Sequence, residues 1–225
     1  MKKFFVFNPK SYLTGQALYD LVKVADTIAS QSSVEIFVTG PYADLSKMKE
    51  VSSHVVITAQ HIDAIEKGRG MGAVLPESVY QAGARATFLN HAEKPISLAE
   101  LVTAINFAKT IGMKTIVCAS SIEEGKAIAE LKPDIILCEP TQLIGTGQTS
   151  DESYILETNQ VIKDISPSTR IMQAAGIMTP DDVYRVIRLG ADGTGCTSGI
   201  VKADNPAEML VEMVKAVESA AKEMN

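Results

Sequence analysis

Three polar side chains in this sequence have the types needed for proton transfer. A carboxylate, Glu139, closes the apolar run 134–138 and is followed by Pro140 and then by Gly-Thr-Gly at 145–147. An imidazole, His91, stands in Asn90-His91-Ala92-Glu93, after the strand-like run beginning at residue 86. An amine, Lys10, follows Asn8 and Pro9 after the aromatic-rich run KFFVF. A carboxylate base beside a neutral imidazole suits removal of a proton from carbon next to a carbonyl. The base takes the proton, the imidazole polarises the carbonyl oxygen and shuttles a proton between adjacent oxygens, and an ammonium stabilises the enediolate. Two stretches of small residues, AAGIM at 174–178 and CTSG at 196–199, would let backbone amides approach a phosphate. Their candidate contacts are Ala174, Gly176, Thr197 and Ser198. These parts together would isomerise a small phosphorylated sugar between aldose and ketose, with no metal and no cofactor.

Each residue also has a plainer reading. Glu139 alone is a solvated acid at a strand end, His91 a structural histidine, Lys10 a surface lysine, and Thr197-Ser198 a turn. Glu93 reads first as the partner of Lys10 rather than as a proton carrier. His54 and His61 are assigned to structure or rim packing. What separates the two sets of readings is where the residues sit in the fold.

The elements that would position them alternate regularly. Strands are expected over 3–8, 34–40, 55–60, 86–91, 114–119, 134–139, 169–174 and 192–196. Helices are expected over 15–30, 42–50, 76–83, 97–112, 121–131, 151–164, 180–189 and 205–223. Leu18, Leu21, Val22, Ala25 and Ile28 recur at helical spacing in the first of these. Ser97 with Glu100 has the spacing of a capping box, and Gly112 closes that helix. Near-continuously apolar strands imply burial on both faces, as in parallel sheets. Eight strand–helix units in series predict an α/β fold, a (β/α)8 barrel formed by residues 1–225 as a single domain. An open doubly wound sheet would need a glycine-rich turn after the first strand, and residues 8–15 contain none. In a barrel, active-site groups come from the C-terminal ends of strands. Asn8, Lys10, His91, Glu93 and Glu139 all fall there, as do both small-residue stretches.

Composition removes other classes. With 27 acidic against 21 basic residues the formal net charge is −6, so there is no basic footprint for nucleic acid. No apolar run approaches the ~18 residues of a membrane helix. The first residues, MKKFFVFNPK, lack the long apolar stretch and cleavage site of a secretory signal. Cys118, Cys138 and Cys196 are too widely spaced for a disulfide framework or a zinc site. The expected setting is cytoplasmic.

The chain resembles the triosephosphate isomerases, in particular their short, archaeal-type form. The resemblance rests on NPK (8–10), AQH (59–61), NHAEK (90–94), EPTQLIGTG (139–147), AAGI (174–177) and TSG (197–199), and it runs from the first strand to the last helix. It implies that Lys10, His91 and Glu139 are catalytic, the glutamate base with a neutral histidine being the family's established pairing. It implies that Asn8, Pro9, Lys10, Ile144, Gly145, Ala174, Gly176, Thr197 and Ser198 meet the substrate. It implies a lid at 140–147 and a homodimer or homotetramer in which Met71, on a rim loop, is an interface residue. Where the family usually has Ser, Gly and Ala, this chain has Ala92, Ala174 and Thr197. Met71 stands in place of a threonine and Pro9 in place of an aromatic residue. An isomerase for another small sugar phosphate is therefore kept as the alternative, with a non-catalytic barrel third.

Overall fold

The computed structural model describes residues 2–143 and 146–224. The strands are β1 (Phe4–Phe7), β2 (Glu35–Gly40), β3 (Val56–Ala59), β4 (Ala86–Leu89), β5 (Lys114–Ala119), β6 (Ile135–Cys138), β7 (Arg170–Gln173) and β8 (Gly193–Cys196). Each pairs in parallel with its sequence neighbour, and β8 pairs with β1, so the sheet closes into an eight-stranded barrel. The helices are α1 (Gly15–Gln31), α2 (Leu45–Glu50), α3 (Pro76–Gln81), α4 (Leu98–Thr110), α5 (Ile122–Ala129), α6 (Glu152–Ile165), α7 (Pro180–Arg188), α8 (Ser198–Val201) and α9 (Pro206–Lys222). The expected (β/α)8 architecture is the one observed.

Strand residues divide by alternation between two cores. Phe4, Val6, Phe37, Phe88, Ile116, Ile135, Leu137 and Met172 belong to one buried cluster, the barrel interior. Their neighbours, among them Phe5, Phe7, Ile36, Val38, Val117 and Ile136, join the helices in a second, outer cluster. The interior is crowded by aromatics: the Phe4 and Phe37 rings meet edge to face at 5.7 Å between centroids. The glycines of β8 make this possible. A Cβ on Gly193 would lie 2.5 Å from the Phe4 ring, and one on Gly195 would lie 2.6 Å from the Met172 methyl carbon. The sequence G-T-G in β8 is thus a packing device, with Thr194 between the two glycines donating its hydroxyl to the Gln173 carbonyl at 2.7 Å.

Toward the N-terminal ends of the strands the interior is sealed by charge. The Arg170 guanidinium lies 4.2 Å from the Phe4 ring centroid, and Glu35 accepts from both Arg170 and Lys114 at 2.6 Å. Burial pushes the Glu35 carboxyl up, but the hydrogen bonds from Lys114 and Arg170 outweigh it and hold it below its ordinary value.

Helix boundaries follow local chemistry. Ser97 and Glu100 form the expected capping box at α4, and Thr179 with Asp182 forms another at α7. Two expectations change. The helix anticipated over 42–50 is a 3-10 turn (Tyr42–Asp44) followed by α2, because the Asp44 carboxylate turns toward α1 and accepts from Thr14, Gly15 and Tyr19. The stretch after β8, anticipated as a loop, contains the single-turn helix α8. Replacing Gly193 by Ala puts a methyl group into the Phe4 ring, and overpacking of this kind costs about 1–3 kcal/mol. Thermal unfolding of Gly193→Ala is expected several degrees below wild type, and an unchanged Tm would mean that the interior is less tightly filled than described.

Candidate active site

β1, β4 and β6 end one or two residues earlier than their apolar runs suggest, and these early endings build the site. β1 stops at Phe7 because the chain turns at Lys10, whose backbone is left-handed with φ 48°. Asn8 holds that turn: its Oδ1 accepts the Lys10 amide at 3.0 Å and the Thr39 hydroxyl at 2.5 Å. Gln60, at the end of β3, donates to the Lys10 carbonyl at 2.8 Å. β4 stops at Leu89 because Asn90 is also left-handed, at φ 56°, a conformation its short polar side chain tolerates. Its side-chain amide donates to the Cys118 carbonyl at 3.1 Å and accepts from Ile96 N at 3.2 Å, which fixes the direction in which His91 leaves the strand.

Glu139 sits one residue past β6. Its amide continues the ladder to the Ala119 carbonyl at 2.9 Å, so its backbone is as fixed as the strand itself. Lys10 Nζ bonds Glu93 Oε1 at 2.6 Å. That pair is partly exposed, its lysine side chain 19% and its glutamate 63% accessible. Exposed pairs contribute about 0–1 kcal/mol to stability, so what this one supplies is the placement of the ammonium.

The imidazole is oriented by its own turn. His91 Nδ1 lies 3.1 Å from the amide nitrogen of Glu93 and accepts its hydrogen bond. An accepting Nδ1 carries no proton, so the ring proton of the neutral form is on Nε2. Burial, with the nearby Lys10 charge, pushes the His91 pKa down, while Glu93 partly opposes the shift. The ring is therefore a neutral donor. Glu139 shifts the other way. Burial among strand ends raises its pKa, Lys10 pulls it down and Glu93 pushes it up, with the raised value the net result. Its carboxylate accepts no hydrogen bond among the described residues. Burial thus makes it a more basic carboxylate, the property a general base needs.

A cavity of about 260 Å³ gathers these groups. Asn8, Lys10, His91, Glu93 and Glu139 line it, together with Ala174, Gly176, Thr197 and Ser198. Pro9 does not line it; it is buried, and its carbonyl accepts from the Tyr12 amide at 3.0 Å. Ile144 and Gly145 lie outside the described residues. Tyr12 also faces the cavity and carried no signal in the sequence, whereas Gly147 and Met178, which line it too, belong to the expected lid and to the small-residue stretch 174–178. The support that Thr39 and Gln60 give was not foreseen. Gln60 was recoverable from its strand-end position; Thr39 lies within β2 and carried no such signal. His61 is buried and pairs with Asp63 at 3.0 Å. Cys118, Cys138 and Cys196 are buried free thiols.

A closed parallel barrel with these groups gathered at the C-terminal ends of its strands is the architecture of a barrel enzyme built for proton transfer. The triosephosphate isomerase family model matches residues 3–217. The chain is 38% identical to the triosephosphate isomerase of Methanobacterium bryantii over 217 residues, covering 94% of this chain and 96% of its relative. It is 35% identical to that of Methanocaldococcus jannaschii, over 94% of this chain and 99% of the other. To that of Sulfolobus acidocaldarius it is 31% identical, over 93% of each. The chain belongs to the triosephosphate isomerase family.

The raised pKa of Glu139 has a consequence for stability. As pH rises through the ordinary carboxylate range the unfolded state ionises first, so the folded state loses stability until its own, higher pKa is passed. Glu139→Gln removes this penalty. The variant is expected to match wild type in Tm at acid pH below the unfolded pKa and to exceed it at neutral pH. Equal differences at both pH values would show that the carboxylate is not held in a disfavoured charged state.

Proposed function

We propose that residues 1–225 act as one catalytic domain that interconverts dihydroxyacetone phosphate and D-glyceraldehyde 3-phosphate. The observation that carries this reading is that one cavity is lined by Lys10, His91 and Glu139, the His91 Nδ1 accepting the Glu93 amide so that its proton is on Nε2, with burial making the carboxylate more basic and keeping the imidazole neutral. Glu139 removes the proton from the hydroxymethyl carbon beside the carbonyl. The electron pair left behind forms the carbon–carbon double bond, and the carbonyl oxygen becomes negative. Lys10 Nζ and His91 Nε2–H stabilise that oxygen. His91 then exchanges protons between the two oxygens, and Glu139 returns its proton to the neighbouring carbon, leaving the aldehyde. Ala174, Gly176, Thr197 and Ser198 face the phosphate through their backbone. The segment 140–147 closes over the bound substrate and keeps water from the enediolate.

Turnover is expected in an assay coupled to glyceraldehyde 3-phosphate, unchanged after chelator treatment. A strict metal requirement, or turnover of tetrose phosphates only, would replace this reading. Glu139→Gln should lower kcat by roughly 10²–10⁴ while a phosphorylated inhibitor binds within several-fold of wild type. Near-normal turnover would return Glu139 to the role of a strand-end acid.

The same reading extends to assembly and setting. Met71 is fully exposed on the loop between β3 and α3, and Tyr12 and Tyr42 are exposed on the same rim. Large exposed apolar side chains of this kind support a contact with a second copy, in a cytoplasmic homodimer or homotetramer. Among the described residues no helix is long and apolar enough to cross a membrane. Sedimentation at micromolar concentration is expected to give a dimer or tetramer that Met71→Asp weakens, and a monomer would count against the interface.

A further inference from the structure

The chain leaving the lid passes from exposed to buried within three residues: Gln148 is exposed, Thr149 partly covered and Ser150 buried. A segment that acts as a lid must be fixed at this boundary, and the Arg185 side chain hydrogen-bonds it there. Arg185, on α7, donates Nη1 to the Thr149 hydroxyl at 3.0 Å, and Nη1 and Nη2 to the Ser150 carbonyl at 3.3 and 3.4 Å. One planar fork thereby holds two successive residues, a geometry that a lysine ammonium does not reproduce.

The same helix holds the neighbouring loop. Asp182, three residues before Arg185 and so on the same face of α7, accepts the amides of Met178 and Thr179 at 3.1 and 2.9 Å. The two loops also touch directly. Gly176 has φ 66°, and a Cβ there would lie 2.0 Å from the Gln148 carbonyl oxygen, so the contact is backbone against backbone. α7 is therefore a common frame: Asp182 fixes the end of the loop that lines the cavity through Ala174 and Gly176, and Arg185 fixes the end of the segment that lines it through Gly147.

We infer that Arg185 is a positioning residue for the isomerisation, anchoring the C-terminal hinge of the lid to the helix that carries the phosphate-facing loop. This rests on the reading of 140–147 as a lid. A purely stabilising role fits poorly. The Arg185–Glu152 pair is long, at 3.7 Å, with side chains 33% and 65% exposed, a geometry that contributes little to stability. What the guanidinium does hold is backbone and hydroxyl at the hinge.

The test uses the full chain with Arg185→Met, Arg185→Lys, Thr149→Val and, as reference, a variant shortened within 140–147. For each, kcat and KM are measured, with Tm and the fraction of turnover ending in methylglyoxal and inorganic phosphate. In that side reaction the enediolate breaks its carbon–oxygen bond to phosphate, which leaves with the electron pair. Because misplacement by about 1 Å can cost ~10²-fold, Arg185→Met is expected to lower kcat roughly 10- to 100-fold. It should also raise the eliminated fraction several-fold with Tm within a few degrees of wild type. Arg185→Lys should recover only part of this, and Thr149→Val, which keeps the Ser150 contacts, should shift the fraction less in the same direction. A folded Arg185→Met with wild-type kcat and product fraction overturns the proposal. If Arg185→Met does not fold, an unchanged fraction in Thr149→Val overturns it. An effect of the shortened lid without one of Arg185→Met rejects the anchor alone, whereas no effect of shortening rejects the lid reading and the anchor with it.

Discussion

Closure of the barrel by the β8–β1 pairing is the constraint on which everything else depends. Phe4 pairs with Gly193 and Phe7 with Cys196, four residues in register, and this brings the last strand beside the first. A parallel sheet left open there would expose unpaired amides and carbonyls on two apolar strands. Closed, it puts all eight strand C-termini on one rim. Lys10, His91 and Glu139 are far apart in sequence and share a cavity only because of that closure. The closure in turn depends on the bare inner face of β8, which makes room for Phe4 and Met172.

On that rim the electrostatics are set by unequal burial. Lys10 keeps a partner, Glu93, whose carboxyl is held below its ordinary value first by the lysine's hydrogen bond. Among the described residues Glu139 has no such hydrogen bond, and His91 gives its acceptor nitrogen to a backbone amide. The same cation has opposite meaning for its two neighbours: it helps to keep the imidazole neutral, and it limits how far burial can raise the carboxyl. A site with the lysine deleted would thus change more than one group's proton affinity.

The alternation of eight apolar runs with helical ones was legible in the sequence, since both periodicities are local and the strands are buried on both faces. So was the rim, because Asn8, Lys10, His91 and Glu139 each follow such a run. What escaped was whatever depended on distant partners. Thr39 gains its role from Asn8, 31 residues away in sequence, and Arg185 from Thr149, 36 away. Neither residue type announces such a contact. The one-turn helix after β8 was hidden because its few residues, Ser-Gly-Ile-Val, have no helical periodicity to display. Pro9 illustrates the converse: its neighbours Asn8 and Lys10 line the cavity, yet it is buried and does not.

That turn carries a cost of its own. Lys10 has a left-handed backbone, which for a residue with a Cβ is disfavoured by about 1–2 kcal/mol, and glycine would relieve it. Selection for thermal resilience alone would therefore erode this position, exchanging the amine for a residue better suited to the turn. A lysine of the active site at a place where the fold would prefer glycine is a record of competing demands. Directed evolution for heat tolerance, run without a turnover screen, would have an incentive to abandon the enzyme at residue 10.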